Sequence, residues 1–295
     1  MLRSGDNVAV GNASAYRNVI SLQAGIFISI FVSSLYIDNV NIRLNNEKES
    51  SMSFGNVLFR FFIFWYICGV ILLTFDLLPA WLEWANAVFL ILSGLLAIVY
   101  FSKKFGKKAG SLISVVIFLF SYLAEFIGSS YGILFGDYYY TNRFAPNLFD
   151  VPIAIGFAWL MVMGTSHALA GAITEKKWLQ PIIGACVAVI IDLIIDPVAF
   201  KLKQYWIWEE DGVYYDIPFS NFLGWFIVAL VLHVFILFFS PNKNIFWEKR
   251  MFLLFALTIT MFVLLAATGE LLFAGILTAC LAGLTLYAAI RRKRT

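Results

Sequence analysis

Residues 151–199 read VPIAIGFAWLMVMGTSHALAGAITEKKWLQPIIGACVAVIIDLIIDPVA. Two apolar runs of about twenty residues, the length that crosses a bilayer core, flank a short polar stretch holding Lys176 and Lys177. A pair of that kind is a helical hairpin through a membrane. Outward from it the pattern recurs, giving candidate spans at 19–37, 57–78, 80–101, 109–128, 151–173, 179–199, 220–240, 251–268 and 270–290. The chain of 295 residues is 61% hydrophobic and 13% charged, about half the charged share of a soluble domain. These features predict an all-α polytopic transmembrane bundle of about nine spans, or eight if 19–37 does not insert. The first run is rich in Ser, Gly and Gln, and it lacks the preceding basic cluster and small-residue cleavage site of a leader peptide. The organisation expected is an N-terminal segment, 1–56, and a single membrane-embedded bundle, 57–295.

The net charge of +3 is too small to argue for nucleic acid, and its placement says more. With the C-terminal RRKR (291–294) cytoplasmic, sixteen of the 21 basic residues fall on that side, as the positive-inside rule requires. Arg3, Arg17, Arg143, Lys201 and Lys203 fall outside. The two long loops 129–150 and 200–219 then lie on the outer face, together with six carboxylates at span ends: Asp76, Glu83, Glu125, Asp192, Asp196 and Glu270. Ionisable groups within a span usually face a protein interior or a wet cavity. Asp76, Glu83 and Glu270 border tight turns and read as interfacial. Cys68, Cys186 and Cys280 have no CxxC partner and read as packing residues.

The two outer loops echo each other. One runs GDYYYTNRFAPNLFDVPIAIGFAW, the other DGVYYDIPFSNFLGW. Each holds D-[VI]-P with Trp seven residues after the proline (Trp159, Trp225) and a histidine eight further on (His167, His233). Each follows a span with acid near its outer end. Spans four–five and six–seven therefore read as two parallel copies of one hairpin, an arrangement that tends to bind its ligand at the repeat interface. The histidines sit ~22 Å along the helix from the prolines, too far from the acids for a shared metal site, and read as helix-to-helix hydrogen-bonding groups.

DLIIDP (192–197) sets two carboxyls at i and i+4, on one helix face about 6 Å apart. Close carboxyls in a poorly hydrated site cannot both ionise cheaply, so one is expected to keep its proton, as general acid catalysis needs. The loops add Tyr131, Tyr138, Tyr139, Tyr140, Tyr205, Trp206, Trp208, Tyr214 and Tyr215, whose faces stabilise cations and pack on conjugated chains. An interfacial belt would be equally rich at both faces, whereas the inner loops hold chiefly Trp178 and Trp247. No GxSxG, HExxH, phosphate-binding glycine loop or DDxxD pair is present. An apolar substrate without a charged handle fits this set.

E-x-x-G-x-x-x-G-x-x-F-G-x-Y-x-Y (125–140), D-x-x-x-D-P (192–197) and W-x-W-x-x-x-G-x-Y-Y-x-[IV]-P-x-x-N-F-x-G-W (206–225), with the V-P…W helix start, resemble the integral-membrane carotenoid hydratases. The resemblance is concentrated in 110–240. It implies a hydro-lyase of carotenoid biosynthesis that adds water to the terminal 1,2 double bond of an acyclic isoprenoid end group, without metal or redox cofactor. Its partners would be the carotenoid, water and the lipid bilayer. It leaves open whether one or both ends react, and whether the chain works alone, as a homo-oligomer or beside other carotenoid enzymes. On this reading Asp192 or Asp196 donates the proton, and the other, or Glu125, positions the water. Asn221 orients the acids, and Tyr138, Tyr140, Trp159, Trp206, Trp208, Tyr215 and Trp225 line the cation and polyene. The rivals are an end-group cyclase, which starts from the same protonation, and a membrane carrier that relays protons through the acids.

Overall fold

The computed structural model describes residues 53–75, 77–242 and 244–292. The expected span 19–37 and Asp76 lie outside them. Eight helices among the described residues are long and apolar enough to cross a membrane: α1 (Phe54–Thr74), α2 (Trp84–Phe105), α3 (Lys107–Tyr131), α4 (Ile153–Ile173), α5 (Gln180–Pro197), α6 (Phe219–Ile236), α7 (Ile245–Thr268) and α8 (Leu272–Arg292). The chain is an integral membrane helical bundle.

Several boundaries differ from the hydropathy pattern, each for a local reason. The run expected to extend to residue 78 stops at Thr74. Pro79 follows, and Ala80–Leu82 wind as a 3-10 turn before α2 begins at Trp84. Helix α7 starts at Ile245, ahead of the expected 251, because the Asn244 side chain caps it by accepting from the Trp247 N–H at 3.2 Å. Helix α3 runs on to Tyr131 and ends on Gly132 in the left-handed region, which glycine enters at little cost.

The most buried helix is α4, which packs against α2, α3, α5, α7 and α8. Small residues make these approaches possible, as in most membrane bundles. A Cβ on Gly94 of α2 would lie 2.7 Å from the Phe157 carbonyl oxygen of α4, and one on Gly164 of α4 would lie 2.8 Å from Ala97. At the basic end, Lys104 pairs with Glu248, and Arg292 donates to the Ile173 carbonyl at 2.8 Å. The lysine- and arginine-rich turns are thus gathered at one end, and the long loops at the other.

There the two loops join. Strand β1 (Tyr138–Tyr140) pairs antiparallel with β4 (Trp206–Trp208), with Tyr138 opposite Trp208 and Tyr140 opposite Trp206. A second, shorter pair joins β2 (Asn147–Leu148) to β3 (Val151–Pro152). The internal repeat is visible in matched contacts. Trp159 stacks on Trp225 with centroids 4.4 Å apart, and His167 lies over His233 at 6.3 Å. It extends to the backbone, since Phe149–Asp150 and Tyr215–Asp216 are consecutive left-handed pairs at equivalent places. Pro152 and Pro218 then serve as the N-caps of α4 and α6. Rotation about an axis along the bundle brings matched residues face to face.

Candidate functional site

Glu125 sits in the last two turns of α3 and is buried. Strand geometry explains its partners. Side chains alternate along β1, so Tyr139 faces outward while Tyr138 and Tyr140 turn inward over the end of α3. Both phenols donate to Glu125 Oε2, at 2.6 and 2.7 Å, and the Trp159 indole donates to Oε1 at 2.9 Å. Burial, then the neighbouring carboxylate charge, pushes both phenols well above the ordinary tyrosine range, so they remain donors. Trp159 was expected to line substrate; its ring does border the cavity, and its N–H is committed to this carboxylate.

Asp192 and Asp196 share one face of α5, both 1% exposed. Asn221, in the first turn of α6, donates from one amide nitrogen to Asp192 Oδ2 at 2.9 Å and Asp196 Oδ2 at 2.6 Å. The opposite oxygen of Asp196 accepts from the indoles of Trp206 (2.6 Å) and Trp208 (3.3 Å). Strand β4 thus does for Asp196 what β1 does for Glu125. Asp192 differs: its Oδ1 is buried and has no hydrogen-bond partner among the described residues.

The helix end beneath these acids is built around Pro197. Its missing N–H deprives the Leu193 carbonyl of a helical donor, and the Tyr214 hydroxyl supplies one at 2.7 Å. After Pro197 the chain widens into a π-helical turn, Val198–Lys203, a departure common at functional sites.

All three carboxyls border one cavity of about 340 Å³, within the range of small-ligand sites. Trp225, Asn221 and the four inward rings of the β1–β4 ribbon also line it, so the structure brings together every expected site residue except Tyr215. Tyr215 stands apart. It sits in the left-handed pair that turns the chain toward α6, and its hydroxyl accepts from the Ala274 N–H of α8 at 3.2 Å. The remaining walls are mainly apolar and come from α1, α2 and α7.

Sequence reasoning missed one polar member. Asn86 of α2 donates at 2.7 Å to the hydroxyl of Tyr205, one of the loop aromatics named above, and both line the cavity. An amide inside an apolar span, near its acid-side end, was the available signal for Asn86. Two cysteines depart from their expected packing role: Cys186 and Cys280 are exposed, while Cys68 is half-buried on the cavity wall. The histidines lie away from the acids. His167 Nδ1 is 2.8 Å from the Tyr100 hydroxyl, and His233 bridges to the Ala229 carbonyl and the Ser166 hydroxyl. Among the described residues, no group of three or more His, Cys, Asp or Glu side chains stands in metal-binding geometry.

The family described as "Carotenoid biosynthesis protein" matches the chain over residues 85–290. That range takes in α2 to α8 and extends well beyond the motif-bearing 110–240. No curated protein and no solved structure matches the chain significantly.

Proposed function

The chain belongs to the carotenoid biosynthesis protein family, and from that premise we propose that it hydrates the terminal 1,2 double bond of an acyclic carotenoid end group. One observation carries the reading. A carboxyl oxygen with no hydrogen-bond partner among the described residues, Asp192 Oδ1, belongs to a side chain that borders an aromatic-walled, mainly apolar cavity, beside two carboxyls whose oxygens are held by donors.

In the mechanism, Asp192 carries the proton and delivers it from Oδ1 to C2 of the alkene. The π electrons form the new C–H bond and leave a tertiary cation at C1. The rings of Tyr138, Trp208, Trp159 and Trp225 face that charge. Water adds to C1, and its surplus proton passes to the carboxylate group made by Asp196 and Glu125, giving a tertiary alcohol. The sum is alkene plus water, and the proton taken up by Asp196 or Glu125 returns to Asp192 between turnovers, which restores the starting state of the acids. Asp196 is suited to the anionic role because Trp206, Trp208 and Asn221 all donate to it. The proposal keeps the arginine- and lysine-rich helix ends cytoplasmic, supported by their charge, and sets the β1–β4 ribbon on the opposite side.

Expression in a host that makes acyclic carotenoids tests this by pigment mass. The expected product is heavier by one water per reacted end. A pigment of unchanged mass with a ring-containing end would mark a cyclase, and unaltered pigment would overturn the proposal.

A further inference from the structure

The cavity extends well beyond the acids. From α1 it takes Trp65, Cys68, Gly69 and Leu72, positions at i, i+3, i+4 and i+7 that form one helical face. From α7 it takes Met261, Phe262 and Leu265. Phe64, the middle residue of α1, both lines the cavity and is 61% exposed. It lies ten residues from the acid-side end of its helix, or ~15 Å. The cavity therefore opens sideways at mid-membrane depth, where the surroundings are hydrocarbon.

We propose that the seam between α1 and α7 is the lateral entry port for a long acyclic polyene, and that Gly69 is the residue whose small size admits the chain. This rests on the hydratase reading for the identity of the occupant. A lipid-dissolved hydrocarbon has no reason to cross the polar loops, and the rings of the β1–β4 ribbon wall that end of the cavity. The seam leads an end group from hydrocarbon to Asp192 with its tail left along α1. Gly69 is the open point of that wall: a Cβ there would meet no atom within 4 Å. Helical glycine costs about 1 kcal/mol relative to alanine, so a glycine facing an open lumen gives up helix stability that alanine would supply without steric penalty.

The test pairs Gly69→Phe with Gly69→Ala and with Ile67→Phe, which adds similar bulk at a lipid-exposed position of the same helix. Each variant is expressed in a host making an acyclic forty-carbon carotenoid and purified in detergent. Bound polyene is read by absorption and hydrated product by mass. Membranes are also supplied with a ten-carbon acyclic isoprenoid bearing the same terminal alkene. Gly69→Phe is expected to lose co-purified polyene and its hydration at least tenfold, while still hydrating the ten-carbon compound; Gly69→Ala, which adds one methyl, falls between Gly69→Phe and the parent, and Ile67→Phe stays within twofold of the parent. Equal polyene binding by Gly69→Phe and parent overturns the port. Loss of both substrates in Gly69→Phe, with Ile67→Phe intact, overturns it too, because the lesion would then lie at the acids. If the parent binds polyene without hydrating it and Gly69→Phe does not bind, the port stands and the hydratase reading falls.

Discussion

The two hairpins of the repeat share a scaffold and differ in their acids. In the first, Glu125 is saturated by two phenols and an indole. Four residues before it stands Ser121, whose hydroxyl turns back to the Ile117 carbonyl. In the second, Asp196 is similarly dressed, and four residues before it stands Asp192, with one oxygen left over. The two hairpins share the frame, and one extra carboxyl on α5 supplies the asymmetry on which the proposed proton donor rests. A site with two fully satisfied acids would hold water well and protonate nothing.

The sharpest way to break that contrast is to remove the surplus acid. Asp192→Asn should lower hydration about 10²–10⁴-fold, the usual contribution of a general acid, with membrane level unchanged. Product per milligram of purified protein is the measurement; a loss no larger than that in Glu125→Gln would erase the difference between the hairpins. Asn221→Leu tests what couples the two aspartates. It strips a donor from both, so a loss of about 3 kcal/mol of stability is expected from the stranded buried groups, read as a fall in the detergent melting temperature together with activity.

At the far end the two hairpins are matched more evenly, and disturbance there should leave chemistry alone. A Cβ on Gly184 would come within 2.3 Å of the His233 ring. Gly184→Ala should therefore cost about 2 kcal/mol by overpacking, with hydration per folded molecule preserved. The smallest effect is expected from Tyr140→Phe, which leaves Glu125 with the Tyr138 and Trp159 donors. About 1 kcal/mol of stability and a severalfold loss of rate should follow, and a larger rate loss would make Glu125, ahead of Asp196, the main acceptor of the surplus proton.

The membrane class and the approximate helices were legible because twenty-residue apolar blocks have one physical reading. The repeat was legible as well: Trp159 and Trp225, and His167 and His233, were matched by offset and proved to touch across the axis. The i, i+4 face of Asp192 and Asp196 followed from helix geometry alone. Tyr215 did not follow, since two consecutive left-handed residues reverse the direction in which a side chain points, and no aromatic count reveals that. The contribution of α1 was equally hidden. Trp65, Cys68 and Gly69 sit in a span of ordinary apolar composition, and only packing turns that face toward the acids. Asn86 carried a signal, but its partner Tyr205 is 119 residues away.

The β1–β4 ribbon also fixes an order of assembly during synthesis. Glu125 finds all its donors within the 34 residues that follow it, so the first hairpin can complete its own acid as soon as α4 is in place. Asp192 and Asp196 must await Asn221 on α6, and the ribbon cannot close until Trp206–Trp208 emerges to meet Tyr138–Tyr140. Until then the two carboxyls at the end of α5 lack the amide and indole donors that hold them in the folded protein. The first hairpin is thus the template on which the second is received, and a ribosome paused before residue 221 would leave a half-built protein whose two α5 carboxyls lack the amide that joins them.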